Sequence, residues 1–204
     1  GVLVAGAGGA AAFAVTALAS LPLLVVLMSW RRFVEPARLP PETLGRAMVS
    51  GLRYVANAPA IRTVILRTFS TGFAGGSALA LLPIIVRDLL GGAAELFGLL
   101  LAAFGVGALV GALNIGRLRA TLSADATTRF GALGMGVAAA VVAASPWTPL
   151  TLAALFLFGL SWTGTMMTCN VTVQTAAPRW VAARALAAFQ ASISAGAGLG
   201  GWAW

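Results

Sequence analysis

Residues 68–86 read TFSTGFAGGSALALLPIIV and lie between Arg67 and Arg87. This stretch has no charged residue, and its length is close to the roughly 20 apolar residues that a helix needs to cross a bilayer. Charged residues at both ends mark the positions where such a helix would reach water. The stretch therefore predicts a transmembrane helix. Pro83 near its far end is compatible with one, because neighbouring helices can satisfy the freed backbone groups.

Similar uncharged spans follow one another along the 204 residues. They cover 11–29, 96–116, 130–144, 150–175 and 185–204, the last one truncated. Residues 1–7 are predicted to be the tail of one more helix, ending at Gly8-Gly9, and Pro22 is expected to kink the span that follows. The chain is 60% hydrophobic and 9% charged, whereas a soluble domain carries about 25% charged residues. We predict an all-α fold, a polytopic transmembrane helix bundle, and expect an internal fragment of a larger protein.

The cations of the chain are unevenly distributed. All 13 are arginines, and the net charge is +8. Twelve lie in three connections, 31–67, 117–129 and 176–184; the connections that alternate with these contain only Arg87. This is the positive-inside pattern, so we expect the three basic connections to be cytoplasmic and the protein to cross the plasma (inner) membrane. Basic clusters separated by apolar spans cannot form one phosphate-binding face, which argues against nucleic acid as a partner.

The long connection 31–67 contains an amphipathic pattern. Four apolar residues recur at helical spacing, and polar residues recur on the opposite face. The apolar set is Leu44, Met48, Leu52 and Val55, and the polar set is Glu42, Arg46, Ser50 and Arg53. The pattern predicts a helix that lies in the cytoplasmic interface and tethers two bundles.

Small residues at four-residue spacing indicate close helix contacts. They are Gly107 with Gly111, and Ser192 with Gly196 and Gly200. Such spacing lets transmembrane backbones approach closely. Plain helix packing explains it, and so does sliding or bending of glycine-rich helices during a transport cycle.

The span 150–175 has the best candidate lining for a substrate pocket. Its stripe of helical spacing consists of Thr163, Met167, Asn170 and Gln174, with Trp162 and Met166 beside it. A large aromatic ring, adaptable methionines and a few amides suit bulky, largely apolar ligands. The alternative is that the polar side chains only hydrogen-bond to neighbouring helices. Asn114 and Gln190 lie near inner helix ends, where a structural role is expected.

Residues for catalysis or metal binding are scarce. The chain has no histidine, one cysteine (Cys169), and no acidic residue in the middle of a span. We therefore predict no catalytic residue, no metal site and no cofactor. If transport is proton-coupled, the titrating group is expected outside this chain.

Three motifs near the carboxyl end resemble the segment that joins helices ten and eleven in the major facilitator superfamily. They are Asn170-Val-Thr-Val-Gln174, Pro178-Arg-Trp180-Val and Arg184-Ala-Leu-Ala-Ala-Phe-Gln190. Residues 44–67 and 79–92 are similar to the central loop and seventh helix of the enterobactin-exporter-like permeases, or transmembrane secretion effectors. Residues 116–131 resemble the superfamily's Gly/Asp/Arg loop motif, although the basic-Gly-basic ending is absent.

The resemblance implies a position within a twelve-helix permease, from the end of helix five to helix eleven. Residues 1–30 would belong to the N-terminal half, 31–67 to the interdomain loop and 68–204 to the C-terminal half. It implies a secondary transporter, not an enzyme, that exports small amphipathic molecules such as siderophores or drugs by alternating access, with proton coupling. It also implies gating or loop-motif roles for Gly116, Arg117, Arg119, Asp125, Arg129 and Arg184.

Two other functions stay open. The membrane component of an ATP-driven permease should have long cytoplasmic helix extensions or a coupling helix, against which the short loops 117–129 and 176–184 argue. A non-transporting membrane scaffold or an intramembrane enzyme is the other. The missing histidines and embedded acids remove the usual catalysts of such an enzyme.

Overall fold

A computed structural model describes residues 2–30 and 43–203. Seven helices and no strand occur in these two ranges. The helices are α1 (Val2–Ser29), α2 (Leu44–Asn57), α3 (Pro59–Asp88), α4 (Ala94–Thr121), α5 (Ala124–Ala144), α6 (Thr148–Ala176) and α7 (Ala182–Ala203). The predicted all-α fold is therefore confirmed.

The chain divides into two compact units, residues 1–43 and 44–204. The first unit contains α1, a continuous helix that runs through Pro22. The predicted helix end at Gly8-Gly9 is therefore wrong. A glycine inside a helix costs only about 1 kcal/mol relative to alanine, whereas a helix end in apolar surroundings leaves several backbone groups unsatisfied. Residues 31–42, with the first three arginines and both tether glutamates, lie outside the described residues.

Four of the described helices, α3 to α6, are long and apolar enough to cross a membrane. The predicted spans 11–29 and 185–204 correspond to α1 and α7, which are not among these four; Phe13–Ser29, within α1, is a shorter apolar segment. A helix of 30 residues such as α3 is about 45 Å long, and the hydrocarbon core is about 30 Å thick. Several helical residues therefore extend beyond the core.

The helices are longer than the sequence predicts, and the loops between them are correspondingly shorter. α3 begins at Pro59, where a missing N–H is tolerated, so residues 59–67 of the predicted loop are helical. Only Leu122 and Ser123 separate α4 from α5, so the predicted loop 117–129 is wrong in extent. The Ser123 hydroxyl accepts a hydrogen bond from the Ala126 N–H at 3.1 Å and caps α5. At the other end of α3, Gly91 turns the chain with a positive φ of 58°.

In the second unit, α6 contacts α3, α4, α5 and α7, while α3 packs along α7 and α4 along α6. We call the end where α3, α5 and α7 begin the arginine end. An apolar cluster there joins α2, α3, α6 and α7 and contains Val55, Ile61, Val64, Cys169, Val173, Ala177, Val181, Ala185 and Phe189. A second cluster joins α3 to α6 and contains Leu82, Val86, Leu100, Met135, Ala138, Val142, Ala154, Leu155 and Phe158. These two clusters fix the position of α6.

The helix α2 is held against the start of α7. Arg184 Nη1 donates a hydrogen bond to Ser50 Oγ at 2.7 Å. The rings of Tyr54 and Trp180 pack edge to face, 5.6 Å apart. Val55, predicted to share the interfacial face with Met48 and Leu52, is instead buried in the apolar cluster, while the latter two are 73% and 69% exposed. One apolar edge of α2 therefore packs on the bundle and the other is open.

Candidate functional site

Close backbone contacts hold α6 against α4. A β-carbon at Gly159 would overlap the Phe104 carbonyl oxygen, and one at Gly107 would overlap the Phe156 carbonyl oxygen. At Gly111 it would lie 2.8 Å from the Leu160 oxygen. Any side chain larger than hydrogen would separate these two helices.

The predicted packing residues of α7 lie in an equally close contact with α3. β-carbons at Gly196 and Gly200 would overlap the carbonyl oxygens of Phe69 and Phe73. One turn before, Ser192 Oγ lies 2.8 Å from Thr68 Oγ1, and both side chains are buried. The hydroxyls satisfy each other where the backbones meet.

The predicted pocket residues occupy the side of α6 that is turned away from α5. Thr163 lies beside Gly111 of α4, and Trp162 packs on Gly75 of α3, so closely that a β-carbon there would overlap the indole ring. Met166 is half-buried and Met167 is 39% exposed. Further towards the arginine end, Asn170 and Gln174 hydrogen-bond to each other through their side-chain amides. Met167 and Gln174 are therefore the exposed residues of the stripe, and the other four are half-buried.

A half-open cavity of about 480 Å³ lies between α4, α5 and α6. Its wall combines glycines, apolar side chains and a few hydroxyls. The lining residues are Gly111, Asn114, Arg117, Leu118, Thr121, Leu122, Thr127, Phe130, Gly131, Gly134, Leu157, Leu160, Ser161, Gly164 and Thr165. Asn114, expected to be structural, donates to the Val110 carbonyl of its own helix while it also lines this cavity.

Two hydroxyls on the α5 side of α6 make no hydrogen bond to any residue in the ranges 2–30 and 43–203. Thr165 is 3% exposed, and its Oγ1 has no hydrogen-bond partner. One turn away, Ser161 is 8% exposed and makes no side-chain hydrogen bond to any described residue. Both oxygens lie against glycines, because β-carbons at Gly131 and Gly134 would overlap them. An unsatisfied buried hydroxyl costs about 1–3 kcal/mol, which marks this wall as a place where a polar partner would be favourable.

The arginine end carries an ion-pair cluster. Asp125 Oδ1 lies 2.6 Å from Arg67 Nη2, and Asp125 Oδ2 lies 2.8 Å from Arg129 Nη2. Arg67 also donates to Thr128 Oγ1 at 3.4 Å. The cluster ties the start of α5 to α3. The Arg67 and Asp125 side chains are roughly half exposed and the Arg129 side chain is mostly exposed, so such pairs contribute only about 0–1 kcal/mol.

The predicted loop-motif residues therefore occupy different places. Asp125 and Arg129 are in the ion-pair cluster, and Arg184 bonds to Ser50 on α2. Arg117 lines the cavity. Gly116 and Arg119 are exposed on α4, and a β-carbon at Gly116 would meet no atom within 4 Å. Within residues 2–30 and 43–203, no group of His, Cys, Asp and Glu could hold a metal ion.

Sequence reasoning missed the α5 side of α6. Ser161 and Thr165 are four residues apart, and Gly131 and Gly134 are three apart, which puts each pair on one helix face. The spacing was visible in the sequence. That these two faces pack against each other was not.

A family model described as "Transmembrane secretion effector" matches residues 1–204. No curated protein and no solved structure matches the chain.

Proposed function

Because the chain belongs to the transmembrane secretion effector family of the major facilitator superfamily, we propose that it forms helices six to eleven of an efflux permease. This permease exports small amphipathic molecules, such as siderophores or drugs, by alternating access. The membership and the four long apolar helices make it a multi-pass membrane protein of a transporter family. The enterobactin-exporter branch, the export direction and proton coupling belong to the proposal.

The open stripe of α6 supports this proposal best. The helix is held on its other sides by Gly107 and Gly159 against α4 and by Trp162 against α3. A rigidly held helix with one partly exposed face of threonine, methionine and amide side chains can position a ligand while the methionines adapt to its shape. In the proposed permease this face lines the substrate pathway.

Substitutions on the stripe test this role. We expect Asn170→Ala and Met167→Ala to change the relative export rates of different substrates several-fold, because these side chains would touch the ligand. Thr175→Ala is the matched control, since its hydroxyl bonds to the Val171 carbonyl of its own helix. Export of a panel of cationic dyes and siderophores from cells with the full-length permease is the measurement. Profiles identical to that of the control for every substrate would remove the stripe from the pathway.

Trp162→Ala is a less clean test, although the indole remains a predicted pocket residue. The ring packs on Gly75, so its removal combines lost binding with a packing defect of about 3–5 kcal/mol. A changed substrate range is still expected, and the protein amount in the membrane must be measured beside it.

Energy coupling distinguishes the proposal from an ATP-driven permease. The described carboxylates Asp88, Glu95 and Asp125 lie in the first or last turn of a helix, so we place the proton-binding acid in another part of the permease. Collapse of the proton gradient should stop export while ATP is still present. Export that survives the collapse and stops on ATP depletion would replace the proposal with an ATP-driven permease.

The orientation has its own test. We propose that the arginine end is cytoplasmic. A cysteine introduced at position 120 should react only with membrane-permeant reagents, and one at position 147 with impermeant reagents as well. Cys169 is buried and serves as the unreactive background. Equal reactivity of both positions from outside would contradict the topology.

A further inference from the structure

The cavity between α4, α5 and α6 is separate from the open stripe of α6. Its volume of about 480 Å³ falls within the roughly 300–1,000 Å³ typical of small-ligand sites. Most of its side-chain wall is apolar and consists of Leu118, Leu122, Phe130, Leu157 and Leu160. Such a wall favours the apolar body of a ligand, because burial removes apolar surface from water.

The polar side chains of the cavity differ in whether they already have hydrogen-bond partners. Thr127 donates to the Ser123 carbonyl and Thr121 to the Arg117 carbonyl, so their hydroxyl protons are already used within their own helices. Thr165 has no partner and is buried, and Ser161 on the same wall makes no bond within the part of the chain that the structure describes. The cavity wall therefore contains one buried hydroxyl without a hydrogen-bond partner, that of Thr165, and a second hydroxyl, that of Ser161, one turn away.

Among the described residues that line the cavity, only Arg117 is charged. Arg117 lines it at the arginine end of α4, and no carboxylate does. Asp125, the nearest acid along the chain, is held by Arg67 and Arg129 and is not a lining residue. Arg117 itself makes no ion pair with any residue that the structure describes, so its guanidinium can bind an anion in the fork geometry that carboxylates and phosphates accept.

We propose that this cavity binds an amphipathic anion. Its apolar body lies among the leucines and Phe130, a polar group near the middle hydrogen-bonds to Thr165 or Ser161, and its acidic head pairs with Arg117. The site is distinct from the α6 stripe and does not depend on the export function. A free acidic amphiphile and an anionic membrane lipid share this chemistry.

Photo-cross-linking of the full-length protein tests the site directly. The probe is dodecanoate with a diazirine on its chain, added to nanodiscs of phosphatidylcholine, and cross-linked peptides are mapped by mass spectrometry. Labels should lie in residues 111–122, 127–134 and 157–165. Arg117→Gln should reduce them about tenfold and Arg117→Lys should restore most, because the interaction is charge-assisted. Arg119→Gln, two residues along the same helix and outside the cavity, is the matched control. Equal labelling in the two glutamine variants, or labels elsewhere only, would overturn the proposal.

Filling the cavity provides an independent test. A β-carbon at Gly164 would lie 3.9 Å from Leu118 Cδ2, an ordinary contact, so Gly164→Leu should enter the cavity without moving the backbone. It should reduce labelling at least tenfold, whereas Gly136→Leu, at a position with no atom within 4 Å, should not. Labelling that persists in a folded Gly164→Leu variant contradicts the proposal. If this variant does not fold, Gly164→Ala and Thr165→Val provide the same test, each with a partial loss expected.

Two further experiments determine whether the ligand head must be an anion and whether the ligand comes from the membrane. Diazirine-labelled dodecanol has the same chain without the charge, so it should label weakly and be insensitive to Arg117→Gln; labelling equal to that of dodecanoate would reject an anion site. Phosphatidylglycerol in the nanodiscs identifies the source: competition indicates a membrane lipid, and its absence a free amphiphile. Normal export by Gly164→Leu would show that the cavity and the proposed transport pathway are separate sites.

Discussion

The α3–α7 contact and the α5–α6 contact are both built from glycines and small hydroxyl residues. They differ in whether the hydroxyls find hydrogen-bond partners. In the first, glycines of both helices bring the backbones together, and the hydroxyls of Thr68 and Ser192 meet each other at 2.8 Å. In the second, glycines lie on α5 only, and the α6 hydroxyls of Ser161 and Thr165 point at them and find no partner. The first contact is closed and satisfied, and the second borders a cavity.

The difference shows that small residues decide how closely helices approach but not whether the approach is satisfied. A hydroxyl opposite a hydroxyl completes a contact, because each can donate or accept. A hydroxyl opposite a glycine α-carbon has no such partner. The α3–α7 contact is therefore a tight packing contact, and the α5–α6 contact borders the cavity that we propose as a binding site.

Breaking the closed contact should have the largest effect. Gly196→Ala places a methyl group against the Phe69 carbonyl oxygen, so we expect a loss of about 2–3 kcal/mol in the free energy of unfolding, as for other overpacked interiors. Thermal unfolding of the full-length protein in detergent measures it. Gly198→Ala, on the same helix with no atom within 4 Å, should be neutral or slightly stabilising. Similar losses in both variants would mean that close approach is not what holds α3 to α7.

Relieving the open contact should have a smaller effect of opposite sign. Thr165→Val keeps the side-chain shape and removes the hydroxyl without a partner, so we expect a gain of up to about 1 kcal/mol. Thr168→Val is the comparison, because that buried hydroxyl donates to the Gly164 carbonyl at 2.8 Å, and a small loss is expected. The same unfolding assay applies. A larger loss for Thr165→Val than for Thr168→Val would show that the Thr165 hydroxyl has a partner in the membrane.

The hydrogen bond between the Thr68 and Ser192 hydroxyls should contribute little to the free energy of unfolding. A double-mutant cycle of Thr68→Val and Ser192→Ala is expected to give about 0.6 kcal/mol, the average for hydrogen bonds between membrane helices. The value is small because Thr68 also bonds to the Val64 carbonyl and Ser192 to the Phe189 carbonyl. A coupling above about 2 kcal/mol would make the hydroxyls, rather than the glycines, the main fastening of this contact.

The sequence largely predicts which segments are helical, but it does not predict where the helices begin and end. The uncharged stretch 68–86 lies within α3, but the helix extends from Pro59 to Asp88. Charge marks where a chain leaves the hydrocarbon core, and a helix can continue into water beyond that point. The break expected at Gly8-Gly9 does not occur, since a glycine pair weakens a helix without ending it.

The sequence predicts only one of the two candidate sites. The stripe from Thr163 to Gln174 is predicted by spacing alone, because its residues share one helix face, and its role in binding stays a prediction. The cavity was not found, because Arg117, Phe130 and Thr165 belong to three helices whose mutual packing has no local signal. These residues are far apart in sequence, and only the tertiary structure brings them to one cavity.

The sequence by itself determined that this chain consists largely of apolar helices and that its arginines lie in every second connection between them. Hydropathy and charge act residue by residue, whatever the neighbouring helices are. Only the tertiary structure decided that Thr68 meets Ser192 while Thr165 meets Gly131, and that Arg117 borders a cavity without a carboxylate. Those pairings depend on which faces of distant helices approach, and within a membrane that choice is made by complementary shapes and hydrogen bonds.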